Sequence, residues 1–359
     1  MTEKRRVIVA MSGGVDSSVT AALLTEQGFD VVGVTMRLSD ESRMAGSGDG
    51  IVQAAEDARS VAEVLGIRHF TVDFRELFRE KVVSRFVSEY ARGRTPNPCV
   101  VCNRYLKFGG LMEKAFELGA DFLATGHYAR VEQDGTGTFR LLRGLDTRKD
   151  QSYVLYYLTQ EKLRHFLLPL GGYAKEEVRM MAGRFALPVA RKAESQEICF
   201  IPDDDYAGFL RRECPECFVP GAIVDVSGRV LGRHGGVPFY TIGQRRGLGI
   251  ATGEPLYVTR LDADRREVVV GTANDVYYSG LVANDVNWVV PNPPKKFFRA
   301  AVRIRYGKRE GMATVTLLSD ERIEVRFDEP QRAVAPGQSA VLYREDEVIG
   351  GGIIERALQ

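Results

Sequence analysis

Apolar and polar positions follow two periods in the first half of the chain. Val7–Met11, Val31–Met36 and His69–Val72 are short runs that read as strands buried in a parallel sheet. Between them Ser17–Gln27 carries Val19, Leu23 and Leu24 on one side, and Ala58, Val61, Ala62 and Leu65 recur at helical spacing before Gly66. Strands and helices alternating at these lengths predict a doubly wound parallel sheet, whose ligands sit at the carboxyl ends of the strands. Phe122–Arg130 predicts a further strand, with Gly126 and His127 at its mouth. Arg37–Gly50 is polar and rich in Gly and Ser, hence a loop. Beyond Pro202 the helical period gives way to short strands and Gly-rich turns, and a second change falls at Asn284–Pro294. From there Ala300–Tyr306, Ala313–Leu318, Arg322–Phe327, Ser339–Tyr343 and Val348–Ile354 are evenly spaced strands, predicting a small antiparallel barrel. The pattern divides the chain into an α/β domain at 1–203, a central β-rich domain at 204–284 and a C-terminal β-barrel at 285–359.

Composition changes this picture little. The 359 residues, 44% hydrophobic and 27% charged, are ordinary for a soluble enzyme, and no apolar run reaches the length of a membrane span. Met-Thr-Glu-Lys-Arg-Arg runs directly into the first strand, so no signal peptide and a cytoplasmic location are expected. A net charge of +1 leaves any nucleic acid to local basic patches. In a reducing compartment the five cysteines, Cys99, Cys102, Cys199, Cys214 and Cys217, point to catalysis or metal binding rather than to a disulfide framework.

The candidate chemistry begins at Ser12-Gly-Gly-Val-Asp-Ser17, a tight turn between strand and helix. Free N–H groups and the positive end of a helix dipole would face an anion there, Gly13 and Gly14 would allow close approach, and Ser12, Ser17 and Ser18 would add hydroxyl donors. The nucleotide loop of kinases and GTPases requires a Lys after the glycines, and none follows. Met36, at a strand end, is placed either to contact an adenine or to fill the core. In Thr95-Pro-Asn-Pro-Cys-Val-Val-Cys102 two prolines fix an extended loop, and a helix is expected to start near Cys102 or Asn103. A thiol there, with Arg104 and Lys107 nearby, should have a lowered pKa and serve as nucleophile or metal ligand. Arg140, Arg143, Arg148 and Lys149 form one basic run. Lys295, Lys296, Arg299, Arg303, Arg305, Lys308 and Arg309 form another, the footprint expected for an RNA backbone if these are not simply solvated faces. Cys199, in the strand-like Ile198-Cys-Phe-Ile201, reads on its own as a core cysteine.

Ser12-Gly-Gly-Val-Asp-Ser17 resembles the pyrophosphate loop of the N-type ATP pyrophosphatases, which cleave ATP between its α- and β-phosphates. Joined with Gly93-Arg-Thr-Pro-Asn-Pro98, Cys102-Asn103, Ala124-Thr-Gly-His-Tyr128, Lys149-Asp-Gln-Ser-Tyr153, Cys199-Phe-Ile201, Gly243-Gln-Arg-Arg-Gly-Leu-Gly249 and Pro336-Gly-Gln338, it resembles the bacterial and mitochondrial tRNA-specific 2-thiouridylases along essentially the whole chain. That resemblance implies ATP-dependent insertion of sulfur at C2 of a wobble uridine, with Mg2+ accompanying ATP. Ala10, Met11, Ser12, Gly13, Gly14, Val15, Asp16, Ser17, Met36 and Gly126 would hold the nucleotide. Cys102 would act as nucleophile and form a disulfide with Cys199, the carrier of a persulfide sulfur. Asn97, Pro98 and Cys99 would receive the base, while His127, Lys149, Asp150, Gln151, Arg305, Tyr306 and Gln338 would face tRNA. A cysteine desulfurase, a sulfur-relay protein or sulfide would supply the sulfur; neither DNA nor a membrane is implied. Many members of that family carry Asp where this chain has Cys99, so Cys99, Cys102 and Cys199 are alternatively three ligands of a [4Fe–4S] cluster. Cys214 and Cys217 read as a partly exposed structural pair. Two rival functions remain at this stage: an adenylating amidotransferase or ligase with the same ATP loop, and a non-catalytic tRNA-binding protein.

Overall fold

Val7, Ile8 and Val9 have no exposed surface, and the strand they form is the middle of the first sheet. The computed structural model describes residues 4–39, 48–193, 198–201, 205–251, 253–293 and 296–359. Most of the expected loop Arg37–Gly50, Lys295 and the change point at 202–204 lie outside the described residues. Strands β1 (Arg6–Ala10), β2 (Asp30–Arg37), β3 (Arg68–Asp73) and β4 (Phe122–Ala124) come first; a hairpin, β5 (Ala129–Gln133) and β6 (Phe139–Arg143), precedes the short β7 (Phe166–Leu167). The sheet runs β3-β2-β1-β4-β7 with every pair parallel. Strand order reverses between β1 and β4, so the ligand crevice lies outside the carboxyl ends of these two strands. Helix α1 (Val15–Glu26) and helix α2 (Gly48–Leu65) pack on this sheet. The former begins two residues earlier than the apolar spacing suggests, because Gly14 already serves as its N-cap.

The central sheet contains β8 (Gly221–Asp225), β9 (Val230–His234), β10 (Tyr257–Asp262) and β11 (Glu267–Gly271) in the order β10-β11-β8-β9. Just ahead of it, Cys214 and Cys217 are joined as a disulfide after the helix Tyr206–Glu213.

Six strands make the barrel: β12 (Tyr277–Trp288), β13 (Phe297–Arg303), β14 (Gly311–Ser319), β15 (Arg322–Arg332), β16 (Ser339–Arg344) and β17 (Glu347–Leu358). Pairing of β12 with β17 closes the antiparallel order β12-β15-β14-β13-β16-β17. Alternate residues point inward, so Leu281, Val315, Ile323, Val325, Leu342 and Ile349 are fully buried. Strand β12 runs unbroken across positions 284 and 285. The hairpin β5–β6 joins the barrel through the pairing of Leu142 with Glu347, so the first domain and the last share a sheet.

Candidate active site

The turn after β1 has the conformation its glycines allow. Gly13 has φ +68°, and a Cβ there would stand 2.1 Å from the Ala54 carbonyl oxygen, so a side chain is excluded. Gly14 caps α1 with no side-chain bond, leaving the N–H groups of the first turn directed at the crevice. The serine hydroxyls are divided. Ser17 and Ser18 donate to the Gly14 carbonyl at 3.2 and 2.8 Å and so brace the turn, while Ser12 is exposed. Gly126 also has a packing reason to lack a side chain. A Cβ there would lie 2.8 Å from the Asp16–Ser17 peptide, so the glycine lets the end of β4 pack on the start of α1. Met36 is half-buried at the carboxyl end of β2.

Two lysines that local sequence reading misses complete this turn. Lys175, 5% exposed, places Nζ 2.6 and 2.8 Å from the two Asp16 carboxylate oxygens, and the Tyr128 hydroxyl donates to Asp16 at 2.8 Å. Lys192 donates to the Gly13 carbonyl at 3.0 Å and to Asp57 at 2.5 Å. Burial alone would raise the Asp57 carboxyl, but the Lys192 hydrogen bond holds it below its ordinary value. The Asp16 charge is thus compensated within the protein, which favours a polyanion at the helix terminus. Lys175 lies 159 positions from Asp16 and Lys192 lies 135 from Asp57, so no local pattern marks either lysine.

The thiol stretch corrects two expectations. Its helix starts at Pro98 rather than near Cys102, because Asn97 Oδ1 accepts from the N–H groups of Cys99 (3.0 Å) and Val100 (3.3 Å) and proline suits the first helical position. The helical backbone continues through Asn103 to Phe108, so Cys102 lies beyond the first turn rather than at the N-terminus. Its thiol pKa is raised, not lowered: burial pushes it up, Lys107 pulls it down and Cys99 adds to the rise. Burial likewise raises Cys99 against the pull of Lys107. Cys199 is pushed up to about 12, by burial first and then by Cys102 and Cys99. Cys99 and Cys199 still touch solvent, Cys102 is half-buried, and the three stand within electrostatic reach of one another and of Lys107. Cys199 occupies a turn closed by Ile201 N–H on the Ile198 carbonyl, not a strand. The next residue, Phe200, anchors it edge-on against Phe78, Phe86 and Phe209, all within 5.4 Å between ring centres.

Lys107 also joins the thiols to the sheet. Its ammonium donates to His127 Nε2 at 3.3 Å, which makes Nδ1 the protonated nitrogen that bonds Thr125 Oγ1 at 2.7 Å. Burial first, and Lys107 second, hold the His127 pKa well below its ordinary value, so the ring is neutral.

The residues expected to face RNA separate into two groups. Arg305 and Tyr306 are exposed in the turn between β13 and β14, with Lys308 and Arg309 beside them, and Tyr306 is electrostatically coupled to Lys149 and Cys99. Asn97 and Lys149 are half-buried and Pro98 is buried. Gln151 is half-buried, its side-chain oxygen accepting from Tyr128 N–H. Asp150 and Gln338 are buried, and their polar atoms are engaged internally: Asp150 accepts from Gly144 N–H, Ser152 and Arg303, and Gln338 donates to the Thr95 carbonyl. Much of the basic composition is also paired, Arg140 with Glu347, Arg143 with Glu310, Arg148 with Glu176 and Arg299 with Asp328.

Comparison with known proteins agrees with this arrangement. A family model described as the tRNA methyl transferase HUP domain matches residues 5–203, one described as the tRNA methyl transferase PRC-barrel domain matches 207–272, and an aminomethyltransferase beta-barrel domain model matches 278–354. The tRNA-specific 2-thiouridylase MnmA of Carboxydothermus hydrogenoformans is 52% identical over 360 residues, covering 99% of each chain. That of Geobacter metallireducens is 53% identical over 366 residues, covering 100% of this chain and 99% of its own. Among solved structures, the U34-tRNA thiolase NcsA of Methanococcus maripaludis with its [4Fe-4S] cluster aligns at a TM-score of 0.34 and 20% identity, over 60% of this chain and 69% of that one, a likeness too slight to argue from. Identity at about half of all positions, sustained from end to end with such relatives, makes this chain a member of the tRNA-specific 2-thiouridylase family.

Proposed function

We propose that the protein inserts sulfur at C2 of the wobble uridine of tRNA, using ATP to activate the oxygen it replaces. One contiguity carries this reading. Lys107, in electrostatic reach of three thiols, bonds His127, and the neighbouring Gly126 packs on the first turn of the phosphate-binding helix. A phosphate site and a sulfur site thus share one crevice. Full-length similarity to curated thiouridylases supports the same chemistry.

In the reaction the uracil C2 oxygen attacks the α-phosphorus of ATP, and pyrophosphate departs toward the N–H groups that follow Gly13 and Gly14. The adenylated oxygen then leaves as AMP when sulfur attacks C2. With a persulfide on Cys199, the terminal sulfur attacks C2. The Cys102 thiolate next attacks the Cys199 sulfur, releasing the thiolated base and forming a Cys102–Cys199 disulfide, which an external thiol must reduce. Asn97, Pro98 and Cys99 would receive a base flipped from its stack, and Arg305, Tyr306 and Lys149 would meet its phosphates. Mg2+ would enter on the triphosphate, since the Asp16 oxygens are already taken by Lys175 and Tyr128. In the alternative route Cys99, Cys102 and Cys199, each in electrostatic reach of Lys107, would hold a [4Fe–4S] cluster that supplies an open iron site for sulfide.

Nucleoside analysis of tRNA from a Cys102→Ala strain tests the assignment: 2-thiouridine should disappear, and its persistence would overturn the reading. Iron and labile sulfide in protein purified without oxygen decide between the routes. About four irons per chain, lost in Cys99→Ser, mean the cluster; iron-free, active protein means the persulfide relay.

A further inference from the structure

Cys99 and Cys102 lie at the start of a helical run that begins at Pro98 and continues through Asn103 to Phe108. The placement of that first turn depends on the loop that leads into it and on the contacts made just beyond it. Before it, the Arg94 guanidinium donates to the carbonyls of Ile354 (3.2 Å) and Glu355 (3.3 Å) on β17 and is oriented by Glu89 at 2.6 Å. Thr95 N–H donates to the Pro336 carbonyl at 2.8 Å. The Gln338 side-chain amide returns a bond to the Thr95 carbonyl at 2.9 Å and reaches the Pro96 carbonyl at 3.4 Å. Gly337, at φ +93°, lies so close that a Cβ would stand 3.0 Å from the Thr95 backbone. Further along the same helix, Arg104 pairs with Asp285 of β12 at 2.5 Å, and the Tyr157 hydroxyl bonds the same carboxylate at 2.9 Å. Every one of these barrel contacts comes from outside the domain that carries the thiols.

We propose that the C-terminal barrel is the frame that positions the thiol helix, and that Gln338 is its principal positioning residue. Gln338 and Thr95 are 8% and 7% exposed. Removing the amide strands buried carbonyl groups beside Asn97, the cap on which the helix depends. The loop then relaxes, Cys99 and Cys102 lose their fixed placement, and sulfur delivery slows, while the turn at Ser12–Ser17, to which Gln338 makes no hydrogen bond, keeps its conformation. Displacement of reacting groups by about an ångström is enough for losses of up to a hundredfold. The role differs from contact with RNA, the one that sequence resemblance implies for Gln338, because it operates in the free protein.

The test compares the full-length wild type with Gln338→Ala and Gln338→Glu. Peptide-resolved alkylation of Cys99 and Cys102 by iodoacetamide, without tRNA or ATP, should accelerate about fivefold or more in both variants. The thiolation kcat should fall about tenfold or more, with ATP affinity within about twofold of wild type. Glu keeps the size but cannot donate when ionised, so it fails alongside Ala if the donated bond is what matters. Wild-type alkylation rates in both variants would overturn the proposal and leave Gln338 to RNA contact alone. A parallel loss of ATP affinity, or recovery of both readouts in Gln338→Glu, would overturn it as well. The inference rests on the proposed thiolation only for its activity readout. If the wild type fails to thiolate tRNA, that reading falls, and the alkylation rates still decide the positioning role.

Discussion

Asp16 and Lys175 are 159 residues apart in sequence and 2.6 Å apart in the fold. At 7% side-chain exposure the lysine has little water to fall back on, and Asp16, at 33%, has more. Lys175→Met should therefore cost about 1–3 kcal/mol, visible as a lower thermal midpoint. It should also depress ATP-dependent pyrophosphate release, because an uncompensated Asp16 repels the triphosphate. The thiols give a second expectation at this scale. Their pKa values lie above the ordinary thiol value, so the resting protein holds them protonated at neutral pH. Alkylation of Cys99 and Cys102 should rise steadily from pH 7 to pH 9 without a plateau. Lys107→Met should slow it at pH 8, because a cation that lowers all three thiols is gone.

At the scale of the element, the helix at Pro98 shows how much of the site was readable in advance. The spacing of Cys99 and Cys102 and the extended Thr95–Asn97 lead-in follow from the residues, but the two prolines read as loop, and the helix start was expected four or five residues too late. Proline lacks the N–H that the first turn leaves unpaired, so Pro98 is compatible with either reading. The Asn97 bonds decide for helix. Asn97→Ala should cost about 1 kcal/mol and increase amide exchange at Cys99 and Val100, whereas Asn97→Asp keeps the acceptor and should stay near wild type. The lowered thiol pKa expected from a helix terminus failed for the same reason: with the helix starting at Pro98, Cys102 lies beyond its first turn, where burial prevails.

For the whole molecule, buried polar pairs tie the first part of the chain to the barrel. Asp150, implied by resemblance to face tRNA, joins the first domain to Arg303 on β13 at 3.0 Å, with side-chain exposures of 2% and 12%. Asp150→Ala leaves that guanidinium beside only Glu310 and should lower stability by about 3 kcal/mol, read as the thermal midpoint. Acid should loosen the molecule in a defined order. Burial holds His69, His127 and His234 below their ordinary value, so between the folded values and an unfolded value of about 6.5 the unfolded chain binds more protons. Stability therefore falls as pH drops below about 6.5. A further loss follows as Asp57, Asp146 and Glu310, whose pKa values are lowered in the fold, are protonated. Melting curves from about pH 7.5 to about pH 2 should show this two-stage decline, the second stage falling mostly below about pH 4, and His127→Gln should reduce its first stage.

The alternation of strand and helix, the phosphate turn, the thiol pair and the terminal barrel were all legible in the residues, because period, glycine placement and spacing act over a turn or a strand at a time. What long-range packing alone decided is which polar group meets which. Gln338 finds Thr95 across 243 positions, and Asp150 finds Arg303 across 153. No local pattern distinguishes a glutamine that braces a buried loop from one that awaits a ligand. A buried polar atom must be satisfied by whatever group the fold brings within about 3 Å, and only the assembled sheets bring it there.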